Sequence, residues 1–121
     1  SVKARIESVL NHDLSGRNKA IGTDARIAKA LLLAETGDDS AEDAMTAALN
    51  YADDADVLRA PDRAYAEAQF WALFGEQERA IEKLQEAIDA GYKDSRILSD
   101  PDFRPLQDTQ PFKAIVKQLQ R

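Results

Sequence analysis

Residues 75–91 read GEQERAIEKLQEAIDAG, a segment that opens and closes on glycine. Between the glycines, Ala80, Ile81, Leu84, Ala87 and Ile88 fall at i, i+1, i+4, i+7 and i+8, the spacing of a helix with one buried stripe. Small Ala80 and Ala87 let a neighbouring helix approach closely, and Leu84 fills the space beside them. The residues before Gly75 are themselves helix-like, so the segment reads as helix, turn, helix.

Working outward, the preceding helix runs from Pro61 to Phe74 and carries Tyr65, Ala68, Trp71 and Ala72. Pro61 suits the first turn, where its missing N–H costs nothing. Further upstream, residues 24–36 read as a helix rich in Ile27, Ala30, Leu31 and Ala34, with Thr23 as its N-cap and Gly37 at its left-handed end. Ser40 and Asp43 form a capping-box-like pair for a helix running to about Ala52. That helix buries Ala44, Met45, Ala48 and Leu49, and residues 53–60 read as a linker. A leading helix over residues 2–12 is marked by Val2, Ile6, Val9 and Leu10. After Gly91 the prolines Pro101, Pro105 and Pro111 forbid one continuous helix. The segment reads as a turn at Ser95–Leu98, another at Pro101–Leu106, and a last helix over Pro111–Gln120 with Phe112, Ile115, Val116 and Leu119 on its apolar side. Strand signals are missing, so the fold class is all-α.

Composition supports a folded domain: 44% of the 121 residues are apolar and 31% charged. The net charge is −6, and its most acidic stretch is residues 35–62, with nine acids against one base. Such a balance argues against nucleic acid as a partner, since phosphates need a basic face. No apolar run approaches the roughly 20 residues of a membrane-spanning helix. The chain contains no cysteine, which removes disulfides and thiolate metal sites. It begins at Ser1, as a piece of a longer protein would, and the sequence leaves the compartment open.

The two helix pairs repeat each other. Gly37 aligns with Gly75, Leu33 with Trp71, Ala30 with Ala68 and Ala34 with Ala72; in the second helices Ala44 aligns with Ala80, Met45 with Ile81 and Ala48 with Leu84. On this alignment the first turn is two residues longer than the second. A period in the mid-thirties with two helices per unit points to an α-solenoid, whose units bury their apolar faces on one another. The second unit resembles the tetratricopeptide repeat family through small Ala68, aromatic Trp71, Gly75, Ala80, Ile81, Leu84 and Ala87. It departs from that family's pattern at Ala64, where a large aromatic is usual, and at Gly91-Tyr92, where a proline is usual. The stretch GYKDSRILSDPDFRPLQDTQPFKAIVKQL resembles an ending common in bacterial tetratricopeptide proteins. The implied architecture is one domain over residues 1–121: leading helix 2–12, repeats 23–52 and 61–91, and a capping segment 92–121. Phe103, Leu106, Phe112 and Ile115 would seal the open end, while Lys113, Lys117 and Arg121 face water.

The resemblance implies a concave groove lined by the first helix of each pair, holding a peptide or a partner protein. Its positions here are Asp24, Ile27, Leu31 and Glu35 in the first unit and Asp62, Tyr65, Gln69 and Leu73 in the second. None of the eight supplies the basic clamp that chaperone-binding members use. Two competing readings are a structural, regulatory or dimerisation domain of a larger bacterial protein in signalling or secretion assembly, and a small carboxylate hydrolase. Little favours the enzyme. His12 is the only histidine, no serine has a nucleophile-elbow context, and neither a phosphate loop nor a dinucleotide fingerprint occurs. Asp53, Asp54 and Asp56 resemble the start of a calcium loop, but Ala64 stands where its bidentate glutamate belongs. No cofactor or metal is expected.

Overall fold

Gly75 has a φ of 97°, and the bonds around it close the preceding helix. Its N–H donates to the Ala72 carbonyl (3.3 Å), and the Glu76 N–H donates to the Trp71 carbonyl (2.9 Å). This pair of bonds satisfies carbonyls that a helix end otherwise leaves open, and it requires a left-handed residue, which glycine adopts without a Cβ clash. Gly37 repeats the arrangement, with bonds from Gly37 to Ala34 (3.1 Å) and from Asp38 to Leu33 (3.0 Å).

The structure is a computed structural model and describes residues 19–93, 97 and 99–119. In chain order it contains α1 (Lys19–Glu35), α2 (Ala41–Ala55), α3 (Ala60–Phe74), α4 (Gln77–Asp89), a 3-10 helix (Pro101–Leu106) and α5 (Gln110–Leu119). Every one of these elements is helical, as the apolar periodicity requires. The expected leading helix over residues 2–12 and His12 lie outside the described residues, as does most of the expected turn at Ser95–Leu98.

The chain divides into two units, residues 1–59 and 60–121. In the first, α1 and α2 pack against each other. Ala30, Ala34, Ala41, Ala48 and Ala52 are buried, and small side chains allow the close approach of two helices. Arg26 lies over the Tyr51 ring, 3.7 Å from its centre, which ties the two helices at their edge.

In the second unit, α3 and α4 form the equivalent hairpin. Its core runs through Tyr65, Ala68, Ala72, Ala80, Leu84 and Ala87 and continues into Tyr92, Ile97, Phe103, Leu106, Phe112 and Ile115. The residues expected to seal the hairpin, Phe103, Leu106, Phe112 and Ile115, are therefore core, while Lys113 and Lys117 are exposed. Trp71 is only half-buried, with the Arg79 guanidinium 4.7 Å from its ring centre. A cleft of about 500 Å³ between α3 and α4 is lined by Arg63, Glu67, Lys83 and Glu86 among others. These charges neutralise one another: Glu67 binds Arg63 (2.8 Å) and Lys83 (3.3 Å), and Lys83 also binds Glu86 (3.1 Å). Burial pulls the Lys83 ammonium downward, but its hydrogen bonds and charge contacts with Glu86 and Glu67 outweigh this and hold it above the ordinary value of 10.5.

Four expectations need correction. Thr23 is not an N-cap; it lies inside α1, 1% exposed, and its hydroxyl has no hydrogen-bond partner among the described residues. The capping box at Ser40 does not form. Asp38 takes that role instead, its carboxylate accepting from the Ser40 N–H (2.8 Å) and hydroxyl (2.6 Å), because an aspartate readily closes a turn on the backbone two residues ahead. Helix α2 continues through the expected linker to Ala55 and ends on Asp56 at φ 53°.

The fourth correction concerns the alignment of the second helices. Buried Ala41, Met45 and Ala48 correspond to buried Ala80, Leu84 and Ala87, so the offset is 39 rather than 36. The first helices keep an offset of 38. The offset of 39 is that of the buried faces alone: the helix starts, with N-caps Ser40 and Glu76, keep the expected offset of 36, and the first turn is the longer, residues 36–40 against 75–76. In the first unit the Ala41 N–H closes the turn on the Asp38 carbonyl (3.1 Å), and the Ala44 N–H makes the first helical bond, to Ser40 (3.0 Å). In the second unit the Ala80 N–H makes the matching bond, to Glu76 (3.0 Å), so the buried face starts at the first residue of α2 and at the fourth of α4.

Candidate partner-binding face

Successive positions three or four residues apart share one side of a helix. On α1, that side carries Ile21, Asp24, Ala28, Leu31 and Glu35. Ile21 is 57% exposed, unusual for a large aliphatic residue, and Asp24, Ala28 and Glu35 are exposed as well. Leu31 is half-buried. The stripe is mixed: apolar Ile21, Ala28 and Leu31, with Asp24 between the first two and Glu35 at the C-terminal end. Three of the four residues expected in the first unit, Asp24, Leu31 and Glu35, lie on it. The fourth, Ile27, does not: it is 8% exposed and belongs to the interior.

The corresponding residues of α3 behave differently. Asp62 is exposed and Leu73 half-buried. Tyr65 is buried, its ring stacked on Tyr92 with centres 4.4 Å apart and meeting the Phe103 ring edge-on at 5.5 Å. Its hydroxyl donates to the Asp100 carboxylate. Gln69 donates through Nε2 to the same Asp100 oxygen (3.0 Å) and to Asp102 (3.3 Å). The Asp100 carboxylate also accepts from the Asp102 N–H (2.9 Å), capping the 3-10 helix. One carboxylate thus starts the 3-10 helix and fastens it to α3. Tyr65 and Gln69, expected to meet a partner, are engaged by residues 100–103 of the same chain.

Sequence reasoning passed over Ile21, Ala28 and Asp100. Extending the stripe of Asp24 and Leu31 by the same steps would have reached Ile21 and Ala28. Asp100 precedes Pro101 at the start of a helical turn, the usual signature of an N-cap. Its partners on α3, however, lie 31 and 35 residues away, beyond any local pattern.

Among the described residues, no group of histidines, aspartates and glutamates is placed to hold a metal ion, and no helix is long and apolar enough to cross a membrane. Comparison of the chain with protein-family models, with curated proteins and with solved structures yields no match.

Proposed function

We propose that the chain is a protein-interaction module of tetratricopeptide type, which binds a peptide or a partner protein along α1. The observation that carries this reading is the stripe of exposed Ile21, Asp24, Ala28 and Glu35 with half-buried Leu31. Apolar side chains on one helical face, interspersed with carboxylates, match the anchors of an amphipathic helix or peptide. The repeated hairpin supports it further, since buried Ala30 and Ala34 recur as buried Ala68 and Ala72 at one offset. In a solenoid of this kind the first helix of each pair lines the groove, and α1 is such a helix. A structural role within a larger bacterial protein is the alternative, and the engagement of Tyr65 and Gln69 by the chain's own residues favours it for the second unit.

The test places a photo-crosslinking amino acid at Ala28 and, as a control, at exposed Thr46 on α2. Capture of a specific protein from Ala28 alone is expected. Ile21→Asp should abolish that capture while leaving the helical circular dichroism unchanged, because Ile21 has little interior contact to lose. Equal capture from both positions, or capture that survives Ile21→Asp, overturns the reading.

A further inference from the structure

The second unit carries a groove that the α1 reading does not use. Helices α4 and α5 pack together and leave two clefts between them, of about 290 and 550 Å³. Both clefts are walled by Ile81 and Pro111, so they run into one another. The floor is apolar: half-buried Ile81, buried Ile115, and exposed Pro111 and Ala114. The α4 wall is acidic, carrying Glu78, Glu82, Glu86 and Asp89, all exposed. The α5 wall contributes Gln118, held to Gln85 by reciprocal amide bonds of 3.1 and 3.0 Å. Lys113 and Lys117 stand about 200° and 240° round the α5 axis from Pro111, turned away from the groove.

The carboxylate row is the informative part. Glu78, Glu82 and Glu86 follow one another at i, i+4 and i+8, a spacing at which like charges repel. Lys83 offsets Glu86, but among the described residues Glu78 and Glu82 take part in no ion pair. The helix dipole favours Glu78 in the first turn, yet it disfavours Asp89 at the last residue of α4. Folding of the unit therefore does not account for the row.

We infer that this groove docks a basic amphipathic helix of a partner protein. Two aliphatic side chains on one face of that helix would enter the clefts. Lysines or arginines at i and i+4 beside them would meet Glu78, Glu82 and Asp89. From Glu78 to Asp89 the wall is about 16 Å long, which fits three turns of helix. Among the described residues, a second copy of the chain offers no suitable basic helix as occupant. The apolar side of α5, beside its lysines, is already buried in its own unit, and the open stripe on α1 carries carboxylates.

The probe is a fluorescent helical peptide of leucines at i, i+3, i+4 and i+7 with lysines elsewhere, followed by anisotropy with the full chain. A companion peptide replaces every lysine with glutamate. The lysine peptide should bind with a Kd of about 10 µM, weakening as salt is raised, and the glutamate peptide should not bind. Glu78→Lys with Glu82→Lys should weaken the complex about tenfold or more. Asp39→Lys with Glu42→Lys, an equal charge change in the first unit, should leave it within about twofold. Ala114→Gln, which fills the floor without altering charge, should weaken it about fivefold. Equal losses from the two charge variants would reduce the attraction to net charge and overturn the assignment. So would an unaffected Ala114→Gln complex, or a concentration-dependent dimer that Glu82→Lys disperses.

Discussion

Asp56 holds a φ of 53°, a left-handed conformation that among the other described residues is taken by glycine. Its N–H donates to Asp53 (3.2 Å) and the Val57 N–H to Ala52 (3.3 Å), the same closure that Gly37 and Gly75 make. Aspartate tolerates the conformation better than most side chains, because its short carboxylate bonds locally. The closure at Gly75 was legible, since a glycine following a periodic apolar stretch marks a helix end. The one at Asp56 was not, because three nearby aspartates read equally well as a linker. No packing neighbour demands glycine at Gly37, Gly75 or Gly91: a Cβ added at any of them meets nothing within 4 Å beyond its own chain neighbours. Backbone strain alone decides their identity. Gly75→Ala should therefore destabilise the protein by about 1 kcal/mol, lowering the urea midpoint without changing the slope of the transition.

At the scale of the element, the hairpin of α3 and α4 shows how far a local pattern reaches. The buried face of α4, Ala80, Leu84 and Ala87, is written in the i, i+4, i+7 spacing of one segment. The role of Tyr65 is not, because its hydroxyl and ring are spoken for by Asp100, Tyr92 and Phe103, all distant in sequence. Lys83 joins the two helices through Glu67. Its ammonium is raised above 10.5, so its contribution to stability is present in full below that value and is lost as pH climbs through the raised one. Lys83→Met should thus cost less than about 1 kcal/mol, as a partly exposed ion pair does. That cost should stay constant from about pH 7 to about pH 10 and shrink only above 10.5, as read from paired urea titrations across the range.

For the whole molecule, the division at residues 59 and 60 has energetic content. The main core of the second unit is built from residues between Ala64 and Ile115, with Val116 and Leu119 packed against it, while buried Ala66 and Phe70 lie outside that cluster. A fragment of residues 60–121 should keep its helical circular dichroism and melt cooperatively, with the modest stability of a domain of about 60 residues. A non-cooperative melt would show that the core does not suffice. The apolar cap residues were readable because Phe103, Leu106, Phe112 and Ile115 crowd a proline-broken segment that polar loops would not need. The partner-facing residues were only half readable. Asp24, Leu31 and Glu35 lie on an open face, but periodicity does not distinguish a stripe facing a partner from one facing the interior, and Ile27 is on the inside.

The turn between α1 and α2 spans residues 36–40; the turn between α3 and α4 spans only Gly75 and Glu76. Inside a helix, losing one residue rotates everything beyond it by about 100° and carries an apolar face into water. Here the longer loop at Asp38 absorbs the difference, and both second helices arrive with an apolar face inward. The turn is thus a place where the gene can gain or lose a codon without the hairpin registering it, which is why two copies of unequal length still build the same unit.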